Sequence, residues 1–556
     1  MKFTPVVLAL LVGLAPAQDA RPELGQPVTA SVGTTDAVPT RVATEDGPRS
    51  WTKEQRMARA EELINAPLSV NGQAITPARI RQALVTRHGR MQLDSRRLDL
   101  MIESELAMRE AEGQDVSSLG IDDQAIEAKV QEVIDSVALQ YPDKDIDDVL
   151  ASNNLSRESL RRQIRQTGLF DQVFLPVDRS WPATTVEALK GTMGEDMVAQ
   201  LQENWASSQS ADAQAQGAAM WNQMIRQMVV QELVSAAIVQ TPADGLPDQV
   251  AQRVNGEDTL VADVWPEIAP IVHPEDVKRI RAYLARMEAA HQELFARGAW
   301  LTDEEFAEVY GAEKAVGEGG PWNIDMVVLT MKRYPDMNSY KEVLRGQRSY
   351  EKMIDDTITE EVLTEWLPRA GRLLGLGEVR TEVIHIASFD HTVNAWHDAG
   401  WAAAEAEALE VVEQLVASEG ADWDRLLAEH SDFYDAPVQA QAGQAPPPQQ
   451  RNGGRFGTIH RNLLMQLLGE SEYTVFVDGY SIADEIYYHQ NVGSLDGPFK
   501  GIHGYYITRV DGRTGPKKPI LLTDENIRSM VREDYVMQNF VVFAQEALQN
   551  AEVVGL

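Results

Sequence analysis

Between residues 90 and 180 the apolar positions recur at intervals of three and four. Leu98, Met101, Ile102 and Leu106 share one face of a predicted helix. Ile126, Val130, Val133, Ile134 and Val137 share one face of the next, which starts at Asp122. Ahead of them, residues 68–75 (LSVNGQAI) have the form of a short strand and turn, with Asn71-Gly72 as the turn dipeptide. Thr76 and Pro77 then suit the N-cap and first position of a helix. A fourth helix is expected from Ser156, with Leu155 and Leu160 at the two staple positions.

Much of this recurs downstream. Val254-Asn255-Gly256 repeats Val70-Asn71-Gly72, and residues 301–306 (LTDEEF) repeat the start of the third helix, now as a capping box from Thr302 to Glu305. Tyr334-Pro335-Asp336 repeats Tyr141-Pro142-Asp143, and Ser349 repeats Ser156. Agreement of these landmarks in order predicts a duplicated helical module. Between the copies, residues 221–239 (WNQMIRQMVVQELVSAAIV) have the pattern of a connecting helix with an apolar face.

The last third changes period. Residues 382–387 (EVIHIA) form a predicted strand, and residues 401–418 an amphipathic helix with Leu409, Val412, Leu415 and Val416 as its apolar face. Another helix starts near Gly420. Residues 438–452 (VQAQAGQAPPPQQRN) are a polar, low-complexity loop, followed by the glycine-rich turn 453–457 and an aromatic strand at 504–510 (GYYITRV). The order β, α, α, β means an α+β domain. A final helix is expected after Thr523 as N-cap, with Ile527, Met530, Val531, Met537, Phe540, Val541, Ala544 and Leu548 at helical spacing.

The expected fold is multidomain and mainly α. It divides into a leader (1–17), a tether (18–50), a first helical module (51–180), connecting helices (181–245), a second helical module (246–378), an α+β domain (379–515) and a C-terminal helix (516–556) packed on the helical body. The 556 residues and 44% hydrophobic content suit several packed domains and exclude wholesale disorder. With 50 Lys and Arg against 85 Asp and Glu, the net charge is −35, which repels phosphate backbones and argues against nucleic acid as a partner. There are no cysteines, so disulfides, thiolate metal sites and thiol nucleophiles drop out.

Lys2, the apolar run 6–14 and the small residues Ala15 and Ala17 have the form of an export signal cleaved before Gln18; an uncleaved N-terminal anchor is the alternative. The run is too short to cross a hydrocarbon core, which needs about 20 residues, and no later stretch is apolar enough to do so. The expected location is extracytoplasmic, most simply the periplasm, with no integral membrane span.

Five landmarks now stand in order: His385-Ile386; Gly420-Ala421-Asp422-Trp423 through Ser431-Asp432; residues 453–457 (GGRFG); residues 493–498 (GSLDGP); and Gly504-Tyr505-Tyr506-Ile507. In this they resemble the parvulin-type (PpiC-like) peptidyl-prolyl isomerases. The helical modules in front and the helix behind resemble the SurA/PrsA class of extracytoplasmic foldases. The resemblance implies an exported folding factor that binds unfolded or newly exported proteins and proline-containing peptides. It also implies a domain for cis-trans isomerisation of the X-Pro bond, whose rotation barrier is about 18–20 kcal/mol. Parvulins work with two central histidines, a nearby Asp or Cys, and a Thr or Ser. His385 matches the first histidine and Tyr506 stands at the second. Phe433 stands at the Asp or Cys position with Asp435 two residues on, and Gly501 falls near the Thr or Ser position. The candidate catalytic set is therefore His385, Tyr506 and Asp435, with Phe456, Leu464 and Met465 as candidate substrate-binding residues.

Other chemistry is poorly supported. His385, His391 and His397 recur every six residues, which does not set them on one helical face, so no metal is expected; nor is a cofactor. His430-Ser431-Asp432 has the letters of a triad, but adjacent residues cannot reach each other as a triad requires. Three readings stay open: an isomerase with chaperone arms, a non-catalytic holdase or assembly scaffold that keeps the parvulin-like domain for binding, and a structural envelope protein.

Overall fold

The computed structural model describes residues 53–116, 122–140, 157–174, 237–318, 327–370, 377–390, 400–434, 453–515 and 521–556, plus scattered positions between them. The leader, the tether, residues 221–236, Tyr141-Pro142-Asp143, Leu155, Ser156, His391, His397 and Asp435 lie outside the described residues.

Helix α1 (Lys53–Asn65) leads into a hairpin of β1 (Ser69–Val70) and β2 (Gln73–Ala74). Its two-residue turn needs positive φ at both positions, which Asn71 (49°) and Gly72 (79°) supply. Helix α2 (Pro77–His88) is capped by Thr76, whose hydroxyl accepts from the Arg79 amide at 3.0 Å. Helices α3 (Arg90–Ala111), α4 (Asp123–Gln140) and α5 (Arg157–Phe174) follow. Ile126, Val130 and Ile134 of α4 bury against Leu160, and Leu98, Met101 and Ile102 of α3 against Phe170 and Val173.

The second copy opens with β3 (Val239–Gln240), β4 (Val250–Val254) and β5 (Glu257–Leu260), the β4–β5 turn again formed by Asn255 (φ 50°) and Gly256 (φ 92°). It continues as α6 (Val261–Ile268), α7 (Pro274–Ala296), α8 (Asp303–Glu318) and α9 (Met337–Ile354). The capping box forms, with the Thr302 amide donating to Glu305 and the Glu305 amide to the Thr302 hydroxyl. Ser349 does not begin a helix. It sits inside α9, where its buried hydroxyl accepts from the Leu301 amide at 3.0 Å, and Asp336 is the N-cap instead. Asp336 carries the only carboxylate among Tyr334, Pro335 and Asp336, and it reaches the Ser339 amide at 2.7 Å. A short helix α10 (Glu360–Trp366) then leads to the α+β domain.

That domain runs β6 (Glu378–Ala387), a small hairpin β7 (Phe389–Asp390) and β8 (Ala395–Trp396), α11 (Gly400–Ala417), α12 (Trp423–His430), β9 (Arg455–Ile459), α13 (Arg461–Leu467), α14 (Glu472–Asp478), β10 (Leu495–Lys500) and β11 (Gly504–Thr514). The antiparallel sheet has the order β10-β11-β6-β9. Ile384, Ile386, Tyr505 and Ile507 point to one face, where α11 and α12 cover them with Ala404, Ala408, Val411, Leu415 and Trp423. The buried stripe of α11 therefore differs from the expected one, since Leu409 is 54% and Val416 73% exposed. Ala404 and Ala408 bring the helix close to the sheet, a role that a search for large apolar residues passes over.

Helix α15 (Glu525–Asn550) and strand β12 (Val553–Val554) complete the chain, with Asp524 rather than Thr523 as N-cap; the Asp524 carboxylate accepts from the Asn526 amide at 2.9 Å. Helix α15 packs on α7, α9 and α10. Val379, Val383, Tyr506 and Val510, on the second face of the four-stranded sheet, join α13, α14, the helices α7 and α9 and the first hairpin in one continuous core. The expected class, mainly helical with one α+β unit, is what the chain forms.

Both hairpins acquire a third strand, in orders β12-β1-β2 and β3-β4-β5. Asn71 donates its amide to the Glu552 carbonyl and accepts the Glu552 amide on its side chain, both at 2.8 Å. Asn255 does the same with Ile238, both at 2.9 Å. Strand β12 thus stands to the first hairpin as β3 stands to the second. Arg281 of α7 reinforces the first arrangement, donating to the carbonyls of Leu63, Ala66, Pro67 and Gly555 at 2.5 to 2.9 Å.

Candidate functional site

His385 lies on β6 and Tyr506 on β11, and the register sets them directly opposite one another. Both side chains point to the second face of the sheet. The rings stack, with centroids 4.5 Å apart and planes 15° from parallel. Phe433, just after α12, brings its ring to 4.9 Å from His385 and 6.4 Å from Tyr506, and Phe456 on β9 packs edge-on to Phe433 at 5.3 Å. The four rings form one aromatic wall. His385 is 4% exposed, so the imidazole is nearly enclosed, whereas Phe433 and Phe456 keep part of their surface in solvent.

The neighbouring residues explain this placement. The Ser431 hydroxyl accepts the His385 amide at 3.2 Å, and the Asp432 carboxylate accepts the Ala387 amide at 2.6 Å. Residues 431–432 are thus bolts on the end of β6, not members of a triad; His430 turns instead to Glu407, at 2.8 Å. Gly454 has φ 90°, and a Cβ there would run into the Val383 carbonyl and come within 3.2 Å of Phe433. Glycine at this point lets β9 start close against β6 and under the Phe433 ring.

The Tyr506 hydroxyl points away from His385 and donates to the Leu468 carbonyl at 3.4 Å. Burial pushes its ionisation well above the usual phenol range, so it stays a neutral donor. At Gly501 a Cβ would collide with the Tyr506 ring and stand 2.8 Å from Ile482. The tyrosine occupies the room that a Thr or Ser side chain at that place would need.

Phe456 joins His385 and Tyr506 in the wall. Leu464 has no exposed surface and Met465 is 7% exposed; both lie on α13 in the core beneath. Asp435 falls outside the described residues. Two features escape a reading of the sequence. Phe433 caps the histidine, and only its place after Ser431-Asp432 signals this. Glu470 is buried at the base of the helical turn 482–484 and accepts from the Ser481 hydroxyl (2.8 Å) and the amides of Ile482 (2.6 Å) and Ala483 (3.1 Å). Burial pushes its carboxyl up to about 7 against these bonds, which pull the other way.

No family model matches the chain, and no curated protein does. Solved structures similar to it include the peptidylprolyl isomerase PrsA from Bacillus anthracis, at 16% identity and a TM-score of 0.20, covering 48% of this chain and 94% of that one. PrsA from Bacillus cereus is similar at 17% identity and a TM-score of 0.18, covering 54% and 90%. PrsA from Bacillus subtilis is similar at 16% identity and a TM-score of 0.15, covering 53% and 88%. Likenesses this distant leave the chemistry to the residues of the site. Among the described residues no helix is long and apolar enough to cross a membrane.

Proposed function

We propose that the protein is an extracytoplasmic folding factor that binds unfolded or newly exported chains, and that its α+β domain binds prolyl peptides with little or no isomerase activity. The observation that carries this reading is the aromatic wall on β6 and β11. A proline ring packs well on aromatic faces, and Phe433 and Phe456 offer such faces at the edge of the sheet. Twisting an X-Pro amide also requires polar groups around the bond. Here His385 is enclosed between Tyr506 and Phe433, and the Tyr506 hydroxyl is turned to Leu468. Among the described residues, rings rather than hydroxyl or carboxyl groups flank the imidazole, which favours grip on a proline over catalysis of its isomerisation.

The test is a protease-coupled prolyl isomerisation assay on the chain from Gln18 onward, run beside an aggregation assay on reduced α-lactalbumin. The expected result is suppressed aggregation with isomerisation near the uncatalysed rate. Acceleration that His385→Ala abolishes would establish a working isomerase, and failure to protect the unfolded client would remove the folding-factor reading.

A further inference from the structure

Two slots in the molecule take a third strand, and two different sequences fill them. Glu552, Val553 and Val554 lie against Asn71, Val70 and Ser69 as Ile238, Val239 and Gln240 lie against Asn255, Val254 and Arg253. The seated strands share one side chain, a valine opposite the buried Val70 and Val254; the flanking residues are unrelated. Each asparagine donates its backbone amide to the carbonyl beside it and accepts the same residue's amide on its side chain, so what it grips is main chain. Such a slot reads an extended backbone and one β-branched residue rather than a whole sequence.

The two strands differ in how they are held. Strand β3 runs through residues 241–249 into β4 of its own sheet. Strand β12 has two residues in the ladder, follows the end of α15 at Ala551, and leaves Glu552, Val554 and Gly555 exposed. Beyond the ladder it is held by Arg281, which donates to the Gly555 carbonyl at 2.5 Å. The other bonds of that guanidinium go to Leu63, Ala66 and Pro67, within the slot itself, and keep it aimed when no strand is seated. Gly555 has φ 82°, and a Cβ there would run into the Pro67 carbonyl, so the seated strand needs glycine at this point.

We propose that the first hairpin, Pro67 and Arg281 form an acceptor for extended segments of other chains, and that β12 occupies it as a displaceable latch. The segment that fits runs antiparallel to β1, with a β-branched residue opposite Val70 and a glycine two positions on. An unfolded chain supplies such segments; that choice of partner rests on the folding-factor reading, whereas the slot is set by the contacts above. Tethering gives β12 a local concentration of about a millimolar, so a competing segment enters when it is abundant or when the latch is weakened.

The experiment uses the chain from Gln18 onward and its Gly555→Ala variant, in which the latch cannot seat and every acceptor residue is intact. Each is titrated with fluorescein-labelled Ala-Glu-Val-Val-Gly-Leu, the sequence of residues 551–556, and followed by anisotropy. Binding roughly tenfold tighter or more is expected in the variant. The same peptide with alanine for glycine is expected to bind the variant roughly tenfold more weakly or worse. Equal, measurable affinity in both proteins would overturn the latch, and no binding to the variant would overturn the acceptor. An alanine peptide that binds as tightly as the glycine one would put binding elsewhere and overturn both. Hydrogen exchange gives a second readout: the Asn71 amide should exchange faster in the variant and be protected again by saturating peptide. Bound peptide without that protection would also overturn the acceptor. Because binding is read here and not protection of a client, a negative result leaves the folding-factor reading to its own aggregation assay.

Discussion

The imidazole of His385 and the phenol of Tyr506 stack across the β6–β11 pair, 4.5 Å between centroids and 15° between planes. The neighbouring Gly501 is locked by the same tyrosine, since a side chain there would strike its ring. Restoring a polar site thus takes two coordinated changes. Tyr506→His alone is expected to leave prolyl isomerisation near the uncatalysed rate, while Tyr506→His with Gly501→Ser raises it at least tenfold. Stopped-flow measurement of the coupled assay checks this, and equal rates for the single and double variants would remove the steric argument.

Glu470 makes stability depend on pH. Its carboxyl is raised to about 7 in the folded chain from an ordinary value of 4.5. A raised acid binds its proton more tightly folded than unfolded, so its contribution is fully present below about pH 4.5 and is lost as pH rises through 7. The loss is on the order of 3 kcal/mol. Urea midpoints followed by tryptophan fluorescence should fall between pH 5 and pH 8, and Glu470→Gln should flatten that fall. An unchanged slope in the variant would assign the pH dependence elsewhere.

Gly346 of α9 sits under the Phe540 ring of α15, which also stacks on Phe476 at 5.4 Å. A Cβ on residue 346 would meet the ring tip at 2.5 Å. Gly346→Ala is expected to cost about 1–3 kcal/mol by overpacking, and Gly346→Val more. Thermal melts would show this; an alanine variant of wild-type stability would mean that the Phe540 ring has room to yield.

Arg281 satisfies four backbone carbonyls from two ends of the chain, and it is 5% exposed. Replacing it with methionine leaves those acceptors without their donor, at a cost of about 1–3 kcal/mol for each one that water cannot reach. Hydrogen exchange should accelerate in residues 69–74 and in the last turn of α1, with α4 and α5 unchanged. Uniform acceleration across the molecule would point to global rather than local loosening.

Much of the helical architecture was legible because it is written at short range. The spacing of Ile126, Val130 and Ile134, the Thr76 cap, the Thr302–Glu305 box and both Asn-Gly turns each depend on a few neighbouring residues. Errors fell where tertiary packing chose among equivalent options. Ser349 has the chemistry of an N-cap, but the Leu301 amide claims it inside a helix, and the stripe of α11 is set by alanines facing the sheet. In the site, His385 and Tyr506 were picked out by resemblance as two positions of one constellation, and the structure sets them opposite each other on neighbouring strands. The turn of the Tyr506 hydroxyl to the Leu468 carbonyl and the burial of Glu470 could not, since both depend on segments that meet only in three dimensions.

The two hairpins differ in when they can be finished. The second takes its third strand from residues just upstream, so every part of it is present once Leu260 has been made. The first waits for Glu552, 481 positions after Asn71. A chain emerging N-terminus first must carry that hairpin without its third strand until Glu552 has been made. One sheet thus closes among near neighbours in the chain, and the other only by a contact spanning almost five hundred residues.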